Sequence, residues 1–417
     1  MRDPSGLKIE FARAGKPLVE EVSMTEEQTI PMSSPDLTEA ERQAVLAVLN
    51  TPRLSMGPEV ESFERAIAER VGAKHAIAVS SGTTGLHLCI RAAGISDGDW
   101  VITTPFSFVA SANVMLYERA VPVFVDVDPH TGNIDPELVA QATTDLIEGG
   151  EAAQRWLPRK GVKGAGKLKA LLPVDVFGQP ADYEALHRVS RQQGLTLIED
   201  SCEALGSIYA GRPAGMLGEM GVFAFYPNKQ ITTAEGGMVV TDNEAYAEAM
   251  RAMRNQGRAP GDTWLEHTYL GYNYRMDELS AALGRVQMER FDELLEKRKK
   301  VSDWYSARLK NLPFIEPITI APSTDRMSWF VYVVRLQQEF DRVSIAKRME
   351  ASGVPTRPYF VPIHTQPYFV ERFGYKVGDF PITEDLGQRC LALPFSGVMT
   401  EEQVDRVCKQ IDAAMNQ

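Results

Sequence analysis

Residues 221–240 read GVFAFYPNKQITTAEGGMVV. An apolar run at each end has β-strand character, and the polar connection between the runs carries a single lysine, Lys229. A lysine fixed in a loop between two buried strands can act as an amine nucleophile, and we expect Phe223, Phe225 and Tyr226 to supply apolar walls around it. The structural alternative is a surface lysine on a β-hairpin, because lysine is seldom fully buried.

Composition and charge narrow the class of protein. A chain of 417 residues is long enough for two domains, on the rule of about 150 residues each. Apolar residues at 44% and charged residues at 24% are typical of a globular protein. The net charge of −12 disfavours nucleic acid and anionic membranes, so we expect neither as a partner.

Cysteine and histidine are scattered. The four cysteines and six histidines show no CxxC motif and no ligand spacing, so we predict no metal site and no disulfide framework. Residues 1–28 are charged throughout and lack the apolar core of a signal peptide. We therefore expect a reduced, cytoplasmic protein. The uncharged stretch 100–117 is polar enough to be a strand, a loop and a helix start, not a membrane span.

From His75 onward, short apolar runs alternate with segments of helical length and periodicity. Continuous Val/Ile/Leu runs alternating with helices are typical of a mostly parallel central sheet flanked by helices, the α/β class. Ligands of such sheets bind outside the carboxyl ends of the strands. The predicted strands are residues 76–79, 100–102, 121–125, 170–176, 196–198, 221–225 and 238–240.

Three regions follow from this pattern. We expect an N-terminal arm over residues 1–30, a large ligand-binding domain over 31–275 and a smaller C-terminal α/β domain over 276–417. A long helix is predicted to open the smaller domain, because apolar residues recur at helical spacing after Tyr274. The Gly- and Lys-rich segment 143–168 interrupts the alternation and is interpreted as a surface excursion of unknown role.

Three of the predicted strands are followed by residues with binding chemistry. Residues 80–85, SSGTTG, open a helix, so their backbone N–H groups form a phosphate cradle or an ordinary helix cap. An aromatic in the stretch 104–108, TPFSF, can stack on a planar ring or belong to the core. Asp200 ends a buried strand and needs a cationic partner, unless it caps the next helix.

These features converge on one cofactor. A phosphate cradle, a stacking aromatic, a buried aspartate and a nucleophilic lysine are together what pyridoxal 5′-phosphate (PLP) requires. Each feature alone has a structural explanation. The combination, in this order, predicts a PLP site around Lys229.

The sequence resembles the DegT/DnrJ/StrS-type sugar-nucleotide aminotransferase family of fold-type I PLP-dependent enzymes. The similarity extends over nearly the whole chain after Ile30. The stretches that carry it are VSSGTTGLHL, VITTPFSFVASAN, PVFVDVDPHTGNIDP, LPVDVFGQPAD, LIEDSCEALGS, FAFYPNKQITTAEGGMVVT and GYNYRMDELSAAL.

The resemblance implies a role for each matching position. Lys229 is implied to hold PLP covalently and to act as the base, and Asp200 to pair with the pyridine nitrogen. The remaining implied contacts to the cofactor come from Gly82 and Thr83 (phosphate), Phe108 (ring face), Glu203 (near the phenolic oxygen) and Asn273 (phosphate of the neighbouring subunit). The last of these implies a homodimer with shared active sites.

Some positions differ from the family pattern, and two candidate substrate residues also have structural explanations. Ala224 stands where many members have a phosphate-binding serine, so Asn228 or water is needed to replace that contact. Segment 143–168 is longer than usual, and Pro52-Arg53 replaces a usual Gly-Trp. Arg357 and His364 are candidate substrate contacts by position, with a solvated arginine and a capping histidine as the alternatives.

The predicted function is amino transfer, with glutamate as the expected donor and a nucleotide-linked keto-sugar as the acceptor. One alternative is another PLP-dependent sugar-modifying enzyme; sugar dehydratases of this fold carry histidine in place of the lysine. A second alternative is a non-catalytic PLP-binding regulator, because a fold alone does not establish turnover.

Overall fold

The computed structural model describes residues 29–162, 166–263 and 265–416. The predicted arm, residues 1–30, lies almost entirely outside these ranges. Ile30 is buried, and its backbone N–H donates to the carbonyl of Gly353 at 2.9 Å. The first described residues are therefore hydrogen-bonded to the C-terminal part of the chain.

The strands form three sheets. A seven-stranded sheet has the order β1-β9-β8-β5-β4-β2-β3, a four-stranded sheet the order β10-β12-β14-β13, and a small sheet the order β11-β6-β7. Within the large sheet only β9 runs antiparallel to its neighbours. The strands are β1 (His75–Val79), β2 (Trp100–Thr103), β3 (Val121–Phe124), β4 (Leu168–Leu172), β5 (Thr196–Asp200), β6 (Ile208–Tyr209), β7 (Arg212–Pro213), β8 (Met220–Ala224), β9 (Gly237–Thr241), β10 (Ile315–Pro317), β11 (Thr324–Arg326), β12 (Tyr332–Leu336), β13 (Arg357–Pro358) and β14 (Cys390–Leu393).

Helices cover both faces of the large sheet. Successive side chains of a strand point to opposite faces, so neighbouring residues pack in different apolar clusters. On β8, for example, Val222 packs in one cluster and Phe223 in another. The helices are α1 (Glu39–Leu49), α2 (Pro58–Val71), α3 (Gly82–Ala92), α4 (Ala110–Tyr117), α5 (Pro136–Glu148), α6 (Gly150–Gln154), α7 (Tyr183–Gln193), α8 (Glu244–Arg254), α9 (Glu278–Glu289), α10 (Phe291–Leu309), α11 (Arg342–Ala351), α12 (Pro367–Phe373), α13 (Pro381–Arg389) and α14 (Glu401–Met415). None of them, in the part of the chain described, has the length and apolarity needed to cross a membrane.

The predicted strands all appear, with ends shifted by a few residues, so the α/β class with a mostly parallel sheet is confirmed. The predicted long helix is wrong in one respect. It divides at Arg290 into α9 and α10, where the guanidinium pairs with Asp36 and Glu41. The excursion 143–168 starts inside α5, and its Arg159 pairs with Asp379 at 2.5 Å.

The C-terminal part is organised around the four-stranded antiparallel sheet, with α10 packed on α14 and α11 on the same helix. Helix α9 packs instead on α1 and α2. Its Glu278 accepts hydrogen bonds from the N–H groups of Gly57, Glu59 and Val60 at the start of α2. The domain boundary at 275/276 stays a prediction, and α9 contacts the N-terminal side of it.

Candidate active site

A cavity of about 1030 Å³ lies at the carboxyl edge of the large sheet. The ends of β5 and β8 and the start of α3 form one wall, as expected for a mostly parallel sheet. Residues of the C-terminal part, among them Phe330, Arg357 and Phe395, also line the cavity. Of the predicted cofactor and substrate residues, Gly82, Thr83, Phe108, Asp200, Glu203, Lys229 and Arg357 line this cavity.

Lys229 lies in the loop between β8 and β9, and its side chain is mostly buried. Its Nζ atom is 3.7 Å from Oε1 of Glu203 and 3.8 Å from the centroid of the Phe330 ring. Its backbone N–H donates to the carbonyl of Tyr226 at 2.9 Å, which closes a tight turn. The amine is thus held in the cavity between a carboxylate and an aromatic face.

The apolar walls around this amine differ from the prediction. Tyr226 lines the cavity, but Phe223 and Phe225 point to the other side of β8, where Phe225 packs 5.2 Å from Phe63. The reason is the alternation of side chains along a strand, which turns Ala224 toward the cavity and its two neighbours away.

Asp200 ends β5 and is buried, with 4% of its surface exposed. Its Oδ2 accepts a hydrogen bond from Oγ of Ser111 at 2.7 Å, and its Oδ1 accepts one from the N–H of Cys202 at 3.2 Å. Within the described ranges no lysine, arginine or histidine lies within 4.0 Å of this carboxylate. A buried carboxylate is costly without a cation, so the site fits a ligand that carries a protonated nitrogen.

Glu203 is the second carboxylate of the cavity. Its Oε2 accepts a hydrogen bond from the N–H of Phe177 at 2.9 Å, while its Oε1 faces Lys229. Burial raises the pKa of Glu203, and the Lys229 ammonium group and the Phe177 N–H partly offset that rise.

A buried pair of carboxyl groups, Asp175 and Glu199, supports the end of β5. Oγ of Ser201 lies 2.5 Å from Oδ2 of Asp175 and 2.6 Å from Oε1 of Glu199. One hydroxyl hydrogen cannot serve both contacts, so one carboxyl group must carry a proton. Burial and the neighbouring Glu199 raise the pKa of Asp175 well above its usual range, and burial raises the pKa of Glu199 as well, so the pair shares a proton. Glu199 and Ser201 flank Asp200 in the sequence, so their hydrogen bonds fix the chain on both sides of Asp200.

The start of α3 provides room and donors for an anion. Oγ of Ser81 caps the helix by accepting from the N–H of Thr84 at 3.2 Å, and the first N–H groups of a helix have no intrahelical partner. A Cβ atom at Gly82 would lie 2.8 Å from Cβ of Ala224 and 2.8 Å from Sγ of Cys202. Only glycine fits there. The cavity wall thus combines a helix N-terminus with a close backbone approach, which suits a phosphate group.

Phe108 and Asn273 are both exposed. Phe108 lines the cavity with 64% of its surface accessible, so one ring face is free to cover a planar ligand. Asn273 is not among the residues that line this cavity and forms a backbone bridge to Asn255. Its contact with the phosphate of a neighbouring subunit stays a prediction.

The two candidate substrate residues, Arg357 and His364, lie in different environments. Arg357 on β13 lines the cavity and is exposed, and its Nη1 donates to the carbonyl of Thr356 at 2.8 Å. His364 does not reach the cavity, which corrects its prediction as a substrate contact. Its ring is fully buried beside Phe380, and its Nε2 lies 3.0 Å from Oε1 of Glu384. It is a structural histidine.

Three residues that complete the site were not predicted from the sequence: Ser111, Phe330 and Arg298. Ser111 orients Asp200, Phe330 contacts the Lys229 amine, and Arg298 binds the backbone of Lys229. Ser107 and Ser111 meet at 3.0 Å, but Ser107 precedes α4, so no helical pattern in the sequence marks this contact. No local pattern marks the other two, because they come from a distant part of the chain.

The fold matches that of solved aminotransferases. The model of the DegT/DnrJ/EryC1/StrS aminotransferase family matches residues 35–412, and the chain belongs to this family. The chain is accordingly a PLP-dependent aminotransferase, as the resemblance predicted.

Individual relatives are similar over almost their full length. The GDP-perosamine synthase of Caulobacter vibrioides is 36% identical over 395 residues, which cover 94% of this chain and 100% of that protein. The spore coat polysaccharide biosynthesis protein SpsC of Bacillus subtilis is 33% identical, over 92% of this chain and 96% of its own. Among solved structures, Helicobacter pylori PseC, an aminotransferase of pseudoaminic acid biosynthesis, has a TM-score of 0.83 at 27% identity and covers 93% of this chain and 99% of its own.

Proposed function

We propose that this protein transfers the amino group of glutamate to a keto group of a nucleotide-linked sugar, with PLP held covalently by Lys229. The observation that carries the proposal is the cavity itself. It presents one amine, one buried carboxylate without a cationic partner and one helix N-terminus to the same space. The names of two relatives, GDP-perosamine synthase and an aminotransferase of pseudoaminic acid biosynthesis, support the choice of acceptor.

Each residue has a distinct proposed role. PLP, when bound, supplies an electron sink for the negative charge that forms at the donor's α-carbon. Asp200 favours the protonated state of the pyridine nitrogen, and Ser111 fixes the orientation of that carboxylate. Gly82 and Thr83 bind the phosphate through their N–H groups. Phe108 covers the ring face.

Proton transfer is assigned to the amine of Lys229, which would take the α-proton of the donor and deliver it to the cofactor carbon that takes up the amino group. Glu203 lies 3.7 Å from this amine and is placed to hold it by a charge-assisted interaction. Asn228 lines the cavity, and its side chain carries an amide Nδ2–H₂ group that can donate hydrogen bonds. We assign to this group the donor to the phosphate that is missing at Ala224.

The substrate enters past Arg357, whose charge suits an anionic donor or a sugar-nucleotide phosphate. Asn273 is assigned to the active site of a second copy, so the working unit is a homodimer with shared sites. The exposed apolar residues Leu46 and Leu49 on α1 support a covered face. All four cysteines are free, which supports the cytoplasm as the compartment.

The test is to identify the lysine that carries the cofactor. Purified protein loaded with PLP is reduced with borohydride, digested and mapped by mass spectrometry. We expect the cofactor mass on Lys229 and none on Lys297, a lysine that is ion-paired with Asp36 on the surface of α10. Lys229→Ala should lose the labelled peptide and amino transfer together while remaining dimeric. Retained turnover in that variant would contradict the assignment.

A further inference from the structure

The feature that carries a further inference is a buried arginine without an acidic partner. Arg298 on α10 exposes only 4% of its surface. Over residues 29–162, 166–263 and 265–416, no carboxylate lies within 4.0 Å of its guanidinium group. Its hydrogen bonds go to backbone carbonyl oxygens instead.

Four carbonyl groups share this guanidinium. Nη1 donates to the carbonyls of Trp329 at 3.1 Å and Phe330 at 3.2 Å. Nη2 donates to the carbonyl of Asn228 at 3.2 Å and to that of Lys229. A planar guanidinium with five N–H donors in a fixed fork can satisfy four acceptors at once, and an ammonium group cannot reproduce that geometry.

Burial lowers the pKa of Arg298 to about 10, so the group keeps its proton at neutral pH. Its position is fixed on a further side by the Phe395 ring, whose centroid lies 5.8 Å from the guanidinium carbon. The guanidinium charge is therefore held in one position, and its hydrogen bonds go to backbone carbonyl groups.

These carbonyl groups belong to two separate parts of the fold. Asn228 and Lys229 lie in the loop between β8 and β9 of the large sheet, whereas Trp329 and Phe330 precede β12 of the four-stranded sheet. The two segments meet where the Lys229 amine lies 3.8 Å from the Phe330 ring centroid. Trp329 has φ +54°, a left-handed conformation that is unfavourable for a bulky residue and needs support from its surroundings.

We propose that Arg298 is a positioning residue, which joins the backbone of Lys229 to that of Phe330 and so sets the place of the amine against the ring face in the cavity. The catalytic meaning of this junction rests on the proposed role of Lys229. The junction itself does not, so the two can fail separately.

The experiment compares Arg298→Met and Arg298→Lys with Arg254→Met. Arg254 is buried to the same extent, but its Nη1 pairs with Glu64 and the Ala78 carbonyl, away from the cavity. Amide hydrogen exchange is followed by mass spectrometry on the full-length protein with and without PLP, for peptides covering 226–231 and 327–331. For bound PLP, the circular dichroism of the cofactor band reports the geometry of the site.

For Arg298→Met we expect amide exchange to accelerate about tenfold or more in both peptides together, with or without PLP, and the cofactor dichroism to shrink. Arg254→Met should lose stability but leave these readouts unchanged. Arg298→Lys should fall between wild type and Arg298→Met, and it carries the test if the methionine variant does not fold. Unchanged exchange in both peptides, or the same change in Arg254→Met, would overturn the proposal. Accelerated exchange in a protein whose Lys229 carries no PLP would keep the junction and reject the proposed function.

Discussion

At the scale of the residue, Asp200 has a negative charge that no side chain of the described chain neutralises. Its hydrogen-bond donors include the hydroxyl of Ser111 and the N–H of Cys202. Such a charge destabilises the protein without its ligand and is useful only when a cation binds beside it. The carboxylate of Asp200 therefore serves the binding of a ligand rather than the stability of the fold.

Asp200→Asn should separate these two effects. We expect the PLP-free variant to be at least as stable as wild type, because an uncompensated buried charge is removed. The rate of the glutamate half-reaction should fall about a hundredfold or more, because the electrostatic support of the cofactor nitrogen is lost. Urea unfolding and stopped-flow absorbance measure the two quantities.

The matched control is Asp126→Asn. Asp126 is also buried, but it accepts hydrogen bonds from the N–H and hydroxyl of Thr383 outside the cavity. It should show the reverse pattern, with lower stability and an unchanged rate. Equal losses of rate in the two variants would count against the role of Asp200.

Residues at strand ends were predictable, and residues brought in by the second part of the fold were not. Asp200 ends one buried strand and Lys229 follows another, so the rule for parallel sheets places them together without further information. Phe330 reaches the same cavity from about a hundred residues farther along the chain, which no local pattern reveals. His364 shows the opposite error, because its position near Arg357 in the sequence did not imply a shared environment.

At the scale of the element, α1 packs on α9, and the carboxylate of Glu41 links the start of α1 to Gln287 and Arg290. Its Oε2 accepts from the N–H and hydroxyl of Thr38, completing the capping box, while its Oε1 accepts from Gln287 at 2.8 Å and Arg290 at 2.7 Å. Burial opposes the charge, but the hydrogen bonds from Thr38 and Arg290 outweigh burial and lower the pKa of Glu41 to about 2.

The lowered pKa of Glu41 determines how the effect of Glu41→Gln on the free energy of unfolding changes with pH. A carboxyl group with a depressed folded-state pKa stabilises the protein above its unfolded value near 4.5, and that contribution disappears as the pH falls through about 2. At pH 7 the variant should lose about 2–3 kcal/mol of unfolding free energy. The difference from wild type should shrink as urea titrations move from pH 5 to pH 3.

The exposed neighbour Glu39 provides the control. Glu39→Gln removes a charge from the solvent side of the same helix and should leave the urea midpoint nearly unchanged at pH 7. A constant difference between Glu41→Gln and wild type across the pH range would contradict the ionic role of Glu41.

The start of α1 was predictable because Thr38 and Glu41 have capping-box spacing, and that box is present. The partners Gln287 and Arg290 lie far along the chain, and the sequence has no code for such a contact. For the same reason the division of α9 from α10 was missed: Arg290 is committed to a tertiary network that helical periodicity does not show.

At the scale of the whole molecule, the alternation of apolar runs and helices was sufficient to predict the large sheet. The small sheet of β6, β7 and β11 was not predicted, because strands of two or three residues are too short to show a period. The proposed homodimer belongs to this scale as well, since Asn273 is exposed and does not line the cavity of its own chain.

Mixed dimers test the shared sites. If each site takes Lys229 from one subunit and Asn273 from the other, Lys229→Ala and Asn273→Ala should each be poorly active alone. In a heterodimer of the two, one site has both defects and the other has none, so random mixing restores about a quarter of wild-type activity. The measurement is amino transfer after co-refolding. No recovery in verified heterodimers would place Asn273 outside the partner's site.

The central claim is that Lys229 holds PLP in a form that accepts an amino group from glutamate. The most direct measurement is the absorption spectrum of the PLP-loaded protein before and after glutamate is added without a sugar acceptor. We predict that the band of the lysine-bound cofactor disappears and is replaced by the band of pyridoxamine phosphate. A lysine-bound band that persists in excess glutamate would contradict the assigned donor, and the absence of any cofactor band after PLP is supplied would contradict the site itself.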